Sequence, residues 1–282
     1  MTETVAEKDL VLYEVDEVGV ALITWNRPHR SNAWTADMEA EYFGLLGTAA
    51  ADPAVRAIVV TGAGKHFCPG MDSSFLTATS QSTHGLAPET RQAQTYPTTI
   101  LKPIVAAIHG ACAGTGFIQA CMSDVRFAEA DSRITAAFVR RGIMAEHGLS
   151  VMLPALVGSA HATDILVSGR VLSGDETAAM GLTIRSEPGS AVEDAIAYAR
   201  DLAVNCSPQA MAMTKQQLHA PLRESLEAAR VGALNVWAQL RNHEDFAEGV
   251  TSFTERRPPR FAPVGTAEIE RLERLWAEAA TA

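Results

Sequence analysis

The sequence predicts an α/β fold that gives way to an all-helical C-terminal region. Three observations carry this expectation. Ala57–Thr61 (AIVVT) and Ile104–Ile108 (IVAAI) are nearly continuous apolar runs, as strands buried on both faces require. Each ends in a glycine-rich turn, and the second turn passes into a short apolar helix over Thr115–Met122. Beyond Ser190 the strand pattern stops and helical periodicity takes over, with a boundary near Asn205.

In chain order, Met1–Lys8 is polar and is expected to fray. Leu10–Val15 and Val20–Trp25 pair as a hairpin, with Asp16, Glu17 and Gly19 at the turn. Thr35 is placed to cap a helix reaching about Ala51, because Met38, Tyr42, Leu45 and Leu46 recur at helical spacing. Asp37 and Glu39 sit in its first turn, where acidic residues suit the helix dipole. Ser73–Thr99 is rich in Ser, Thr, Gly and Pro and lies between the two glycine turns, so it is expected to form a mobile pocket wall. Val125–Phe127 and Ile134–Phe138 read as short strands, followed by a loop over Arg140–Gly148. Helices are expected over Leu149–Val157, Ala160–Val167 and Gly174–Met180, then a strand over Leu182–Ile184. Ala191–Val204, Gln209–Leu218, Leu222–Leu240 and Asp245–Thr254 follow as helices. Arg256–Pro263 breaks the run, and Ala267–Ala279 is a last amphipathic segment.

Composition bounds the function. The chain has 282 residues, 47% hydrophobic and 20% charged, which suits a globular protein with a sizeable core. A formal charge of −10 argues against nucleic acid or an anionic membrane as principal partner, while leaving room for a locally basic pocket. The four cysteines form no CxxC pair and read as buried thiols of a reducing compartment. No stretch resembles a signal peptide and no uninterrupted apolar run is expected to cross a bilayer, so a cytoplasmic protein is expected.

The chemistry-bearing stretches are HFCPGMD (His66–Asp72) and HGACAGTGF (His109–Phe117). Each follows a buried strand and exposes backbone N–H groups, around Gly70 and Met71 in one and around Thr115 at a helix N-terminus in the other. Such a point can hold a phosphate or a developing oxyanion. Taken with NRPHRSNAW (Asn26–Trp34) and DFAEGVTSFTERRPPRF (Asp245–Phe261), these motifs resemble the crotonase, or enoyl-CoA hydratase/isomerase, superfamily from about Leu10 to Phe261.

The resemblance implies a crotonase-type spiral of strand–strand–helix units, with residues 1–205 as the core and 206–282 as a helical region that builds a homotrimer or hexamer. It implies an acyl-CoA thioester as substrate, with coenzyme A arriving as part of it and no separate cofactor or metal. Met71 and Thr115 align with the two backbone donors that polarise the thioester carbonyl; relatives often carry glycine where Thr115 stands. Arg30, Ala33, Trp34 and Gly70 align with the segments that hold coenzyme A, and Phe253 and Arg256 with residues that reach a neighbouring subunit's ligand.

The acid and base depart from the family pattern. The two positions that carry glutamates in its hydratases hold Ile118 and Phe138 here, and neither side chain can carry a proton. Glu146, beside His147, is the substitute candidate. In relatives that process aromatic acyl-CoAs, the chlorobenzoyl-CoA dehalogenase and the naphthoate synthase, an essential aspartate falls in this same loop. The alternative is a solvated loop carboxylate, with His147 a structural residue or an orienter of Glu146. Gln119 is expected on the helix surface, Asp124 at a strand end, and His66 and His109 in structural hydrogen bonds. Three functions stay open: an acyl-CoA lyase or isomerase using Glu146, another crotonase chemistry such as thioester or C–C hydrolysis or dehalogenation, and a catalytically silent acyl-CoA-binding protein.

Overall fold

The computed structural model describes residues 9–72 and 91–279. The expectations for Met1–Lys8 and for most of Ser73–Thr99 lie outside the described residues. Strands β1 (Val11–Val15) and β2 (Val20–Trp25) form the expected hairpin, pairing from Val11↔Trp25 to Val15↔Ala21. Asp16 closes it, its Oδ1 accepting the N–H groups of Val18 (3.1 Å) and Val20 (2.8 Å). Thereafter every neighbour in the main sheet is parallel. β3 (Ala57–Gly62), β4 (Ile104–Ile108), β6 (Val125–Glu129) and β9 (Ile184–Ser186) extend it in the order β1-β2-β3-β4-β6-β9. All of β3 and β4 is buried, which is why their sequences show apolar runs instead of alternation.

Helices cover both faces. On one, α1 (Ala36–Ala51) starts at Thr35, whose side chain accepts the Met38 N–H, and buries Met38, Tyr42, Phe43 and Leu46. On this side α2 (Thr115–Met122) and α3 (Leu149–Ser168) join the same large apolar core. On the other face lies α5 (Ala191–Asn205), after the short α4 (Gly174–Ala179). α5 presents Ala191, Ala195, Ala199 and Ala203 to Val20, Val59, Val105 and Phe127 of the sheet. A four-residue alanine repeat makes a flat stripe that lets a helix lie close against strands. A second, three-stranded sheet joins β5 (Ala111–Ala113), β7 (Arg133–Thr135) and β8 (Leu172–Ser173).

Several elements differ from expectation. The strand expected over Ile134–Phe138 ends at Thr135, whose Oγ1 takes the Ala137 N–H (3.1 Å) and donates to Gly169 O (2.9 Å). Ala137 then turns left-handed (φ 59°), and Phe138 leads into a 3-10 turn over Val139–Arg141. The helices expected over Gln209–Leu218 and Leu222–Leu240 are one, α6 (Pro208–Leu240), which runs through Pro221. Proline costs a helix one hydrogen bond, and packing holds this one together: Lys215, Leu226, Ala233 and Val236 are buried along it. Lys215 ties it to the core through Asp124 Oδ2 (2.6 Å) and Lys102 O (3.0 Å), burial pulling its ammonium below the usual lysine range. α7 (Glu244–Thr254) and α8 (Thr266–Ala279) complete the chain. α3 is, by length and mean hydropathy (1.4), apolar enough to cross a bilayer, against the expectation that no run would be. It breaks at Gly158 (φ 75°, ψ 162°) and buries Leu149, Met152, Leu153, Ala162 and Ile165 against the protein, as a core helix does.

Candidate active site

The two glycine turns meet. Cys68 and Cys112 form an isolated parallel bridge, with Cys68 N–H on Ala111 O (3.0 Å) and Ala113 N–H on Cys68 O (2.9 Å). This zips the turn after β3 onto the turn after β4. Gly70 sits at φ 98°, and a Cβ placed on it would come within 3.1 Å of Ala113 O and 3.5 Å of Thr115 N. Only glycine accepts both that dihedral and that approach.

Met71 and Thr115 both lie at this junction. Trp34 and Met71 form a second bridge, in which Trp34 N–H binds Gly70 O (2.8 Å) and Asp72 N–H binds Trp34 O (3.0 Å). In a parallel bridge of this kind the N–H of Met71 itself points away from the partner strand, and among the described residues it has no acceptor. α2 begins at Thr115, and the first helical bond at its start runs from Ile118 N–H to Gly114 O (2.9 Å). The Thr115 N–H therefore has no intrahelical acceptor and sits at the positive end of the helix dipole. Thus Gly70, Met71 and Thr115 are brought together at one point, and Ile118 and Phe138 are buried in the large apolar core on which Met71 also packs.

Glu146 lies in the loop before α3, half-buried, and no described residue gives its side chain a hydrogen bond or ion pair. Burial pushes its carboxyl from 4.5 up to about 7. Its loop neighbours Met144 and Ala145 pack on the same core as Met71, Ile118 and Phe138. His147 is held left-handed at φ 53°. Burial pulls its imidazole down to about 4, with Arg91 and Arg230 adding to the effect and Glu39 opposing it. The imidazole is thus neutral at neutral pH.

The residues aligned with coenzyme A binding take varied positions. Arg30 is half exposed and reaches Asp72 Oδ1 (3.4 Å). Ala33 is buried, its carbonyl accepting Arg27 Nη1 (2.6 Å). The Trp34 indole is fully enclosed against Trp25, Tyr42 and Phe43, so only its main chain can face a ligand. Phe253 lies under the Arg141 guanidinium at 3.7 Å, and the exposed Arg256 follows it in a left-handed turn (φ 54°). α7 as a whole packs on the Val139–Arg141 turn, with Gly249 allowing its approach to Arg141.

One cluster was missed by sequence reasoning. Glu39, read from sequence only as a first-turn acid, is buried and accepts Trp34 Nε1 (2.8 Å), Gln94 Nε2 (2.6 Å) and Arg91 Nε (2.7 Å). Gln119, expected on the helix surface, is buried too, donating from Nε2 to Gln94 Oε1 (2.7 Å). The available signal was spacing: Glu39 falls three and four residues before Tyr42 and Phe43, on the apolar face of α1. His66 is structural as expected, its Nδ1 accepting Ala111 N–H (3.1 Å), whereas the buried His109 Nδ1 has no partner among the described residues.

The chain as a whole has known relatives. The family model described as enoyl-CoA hydratase/isomerase matches residues 16–263. The chain belongs to that family, within the crotonase superfamily. A fungal relative, enoyl-CoA hydratase ACTT3 of Alternaria alternata, is 32% identical over 254 residues, covering 87% of this chain and 84% of its own. Among solved structures, the enoyl-CoA hydratase EchA12_1 of Mycobacterium marinum is 40% identical with a TM-score of 0.65, covering 75% of this chain and 98% of that one. The enoyl-CoA hydratase/isomerase of Pseudoalteromonas atlantica T6c superposes with a TM-score of 0.80 at 26% identity, over 90% of this chain and 100% of its own. The crotonase fold expected from the motifs is therefore the fold of this enoyl-CoA hydratase/isomerase family member.

Proposed function

We propose that this protein is an acyl-CoA lyase or isomerase whose proton transfers run through Glu146. The observation that carries the reading is the meeting of Met71 and Thr115, two backbone N–H groups without acceptors among the described residues, at one helix N-terminus. An acyl thioester whose carbonyl oxygen sits between them loses its α-proton more readily, because the enolate oxygen gains charge where two fixed donors already point. Glu146, raised by burial to about 7, is matched to take that proton near neutrality and to return it to another carbon of the same acyl chain. The proton count closes with one carboxylate: the base leaves the cycle as it entered. Ile118 and Phe138 are buried apolar groups and offer no hold for an attacking water, so hydration of short straight-chain enoyl-CoAs is not the favoured reaction.

Arg30, with the main chain at Ala33 and Trp34, would hold the coenzyme A moiety, and Phe253 with Arg256 a neighbouring subunit's ligand. The half-exposed Ile269 and Trp276 on α8 supply apolar surface for a homotrimer or hexamer built by residues 206–282. A panel of acyl-CoAs incubated with the purified protein, read by mass spectrometry in deuterated water, tests the chemistry. Solvent deuterium entering the acyl chain of at least one member supports the reading. Binding of the panel without any exchange or conversion leaves only a silent acyl-CoA-binding protein.

A further inference from the structure

The start of α2 has an unusual cap. Its N-cap residue, Gly114, has no side chain, so nothing on its own segment can take the N–H groups of the first turn. The group facing them comes from the other glycine turn. Cys68 Sγ accepts the Gly70 N–H at 3.4 Å, and the Gly116 N–H faces the same sulfur. The approach is tight: a Cβ on Gly116 would lie 2.8 Å from Cys68 Cβ. Burial pushes the thiol up to about 12, so it stays neutral and serves as a fixed acceptor.

The positions of these two bonds matter. Gly70 immediately precedes Met71, and Gly116 immediately follows Thr115. We infer that Cys68 is a positioning residue for the carbonyl-polarising pair: its sulfur holds Gly70 while its side chain packs on Gly116, fixing the separation of the Met71 and Thr115 N–H groups and leaving those two for a ligand oxygen. This rests on the reading of Met71 and Thr115 as the donors. It assigns a role to a thiol that sequence reasoning treated as an inert core residue. Serine at this position keeps an acceptor beside Gly70 and Gly116, whereas alanine leaves the buried Gly70 N–H unpaired and the turns freer to separate.

The probe is acetoacetyl-CoA, whose enolate has its own near-ultraviolet band and whose bound enolate fraction reports on the two donors without a known substrate. Titration of wild type, Cys68→Ser and Cys68→Ala, with free coenzyme A affinity measured alongside, gives the test. Cys68→Ala is expected to lower the enolate fraction by about tenfold, less than outright loss of a donor, with coenzyme A affinity unchanged. Cys68→Ser is expected to retain the band to within roughly threefold. A full band in Cys68→Ala overturns the clamp and leaves the donors standing. Absence of the band from wild type, with coenzyme A bound, overturns the donor reading and the clamp together. Should Cys68→Ala not fold, amide exchange of the wild-type protein decides: Gly70 and Gly116 should exchange at least about tenfold more slowly than Met71 and Thr115. Equal rates overturn the inference.

Discussion

Replacing Glu146 by glutamine should abolish activity and at the same time stabilise the protein, but only above a certain pH. The carboxyl ionises at 4.5 in an unfolded chain and at about 7 in the folded one, because burial penalises the charge and no described partner offsets it. Below pH 4.5 the group is neutral in both states and costs nothing. As pH rises from 4.5 to 7 the unfolded state releases the proton first, so folding stability is progressively lost; above 7 the penalty is complete, at up to about 3 kcal/mol. Glutamine resembles the protonated acid and carries no such penalty. Glu146→Gln should therefore match wild type near pH 4.5 and exceed it by up to about 3 kcal/mol at pH 8, or roughly 5 °C in Tm for a chain of this size. Urea titrations or calorimetric scans of both proteins across that range measure it. A stability difference that does not change with pH, or that is largest at low pH, would refute the burial argument. In wild type, activity on the true substrate should fall as pH drops through about 7, since the base works ionised.

Three further outcomes follow from the same geometry. Thr115→Pro removes the N–H at the first helical position, where proline is tolerated, so turnover should fall about a hundred- to a thousandfold while Thr115→Gly stays mild; equal and severe loss in both would make the side chain the working group. Glu39→Ala should destabilise the fold by about 3 kcal/mol in urea titration, because it strands Arg91, Gln94 Nε2 and the Trp34 indole N–H in the interior; a loss near zero would mean water replaces the carboxylate. Truncation after Asn205 removes Leu226, Phe246 and Val250 from the main core and uncovers Gly148, against which Leu226 packs. The product should aggregate on size-exclusion chromatography, and a soluble trimer would contradict assembly through residues 206–282.

The central strands were legible because parallel strands buried on both faces leave short apolar runs that end in glycine turns; β3 and β4 were read this way within one residue of their ends. β5 and β8 were not, since three and two residues are too few to carry a period. Two helices were expected where α6 is one, because sequence shows the hydrogen bond lost at Pro221 and not the packing of Leu226 and Ala233 that outweighs it. At the site, Gly70, Met71 and Thr115 were picked out because each glycine turn follows a buried strand, and the Cys68–Cys112 bridge joins the two turns. Glu39 did not, because an acid in a first turn has a sufficient local explanation, and Arg91, the partner that lets it be buried, lies 52 residues away. Cys68 was hidden for the same reason: a buried thiol needs no role until the sulfur is seen between two glycine N–H groups.

The central claim is that Met71 and Thr115 together polarise a thioester carbonyl. Butyryl-CoA labelled with carbon-13 at the carbonyl is saturated and cannot be hydrated, so it can be held at the site unchanged. Isotope-edited vibrational spectra of the bound and free forms read the carbonyl directly. The stretch should shift to lower frequency on binding and return toward its free value in Thr115→Pro. A bound carbonyl at its free frequency in the wild-type protein would contradict the account.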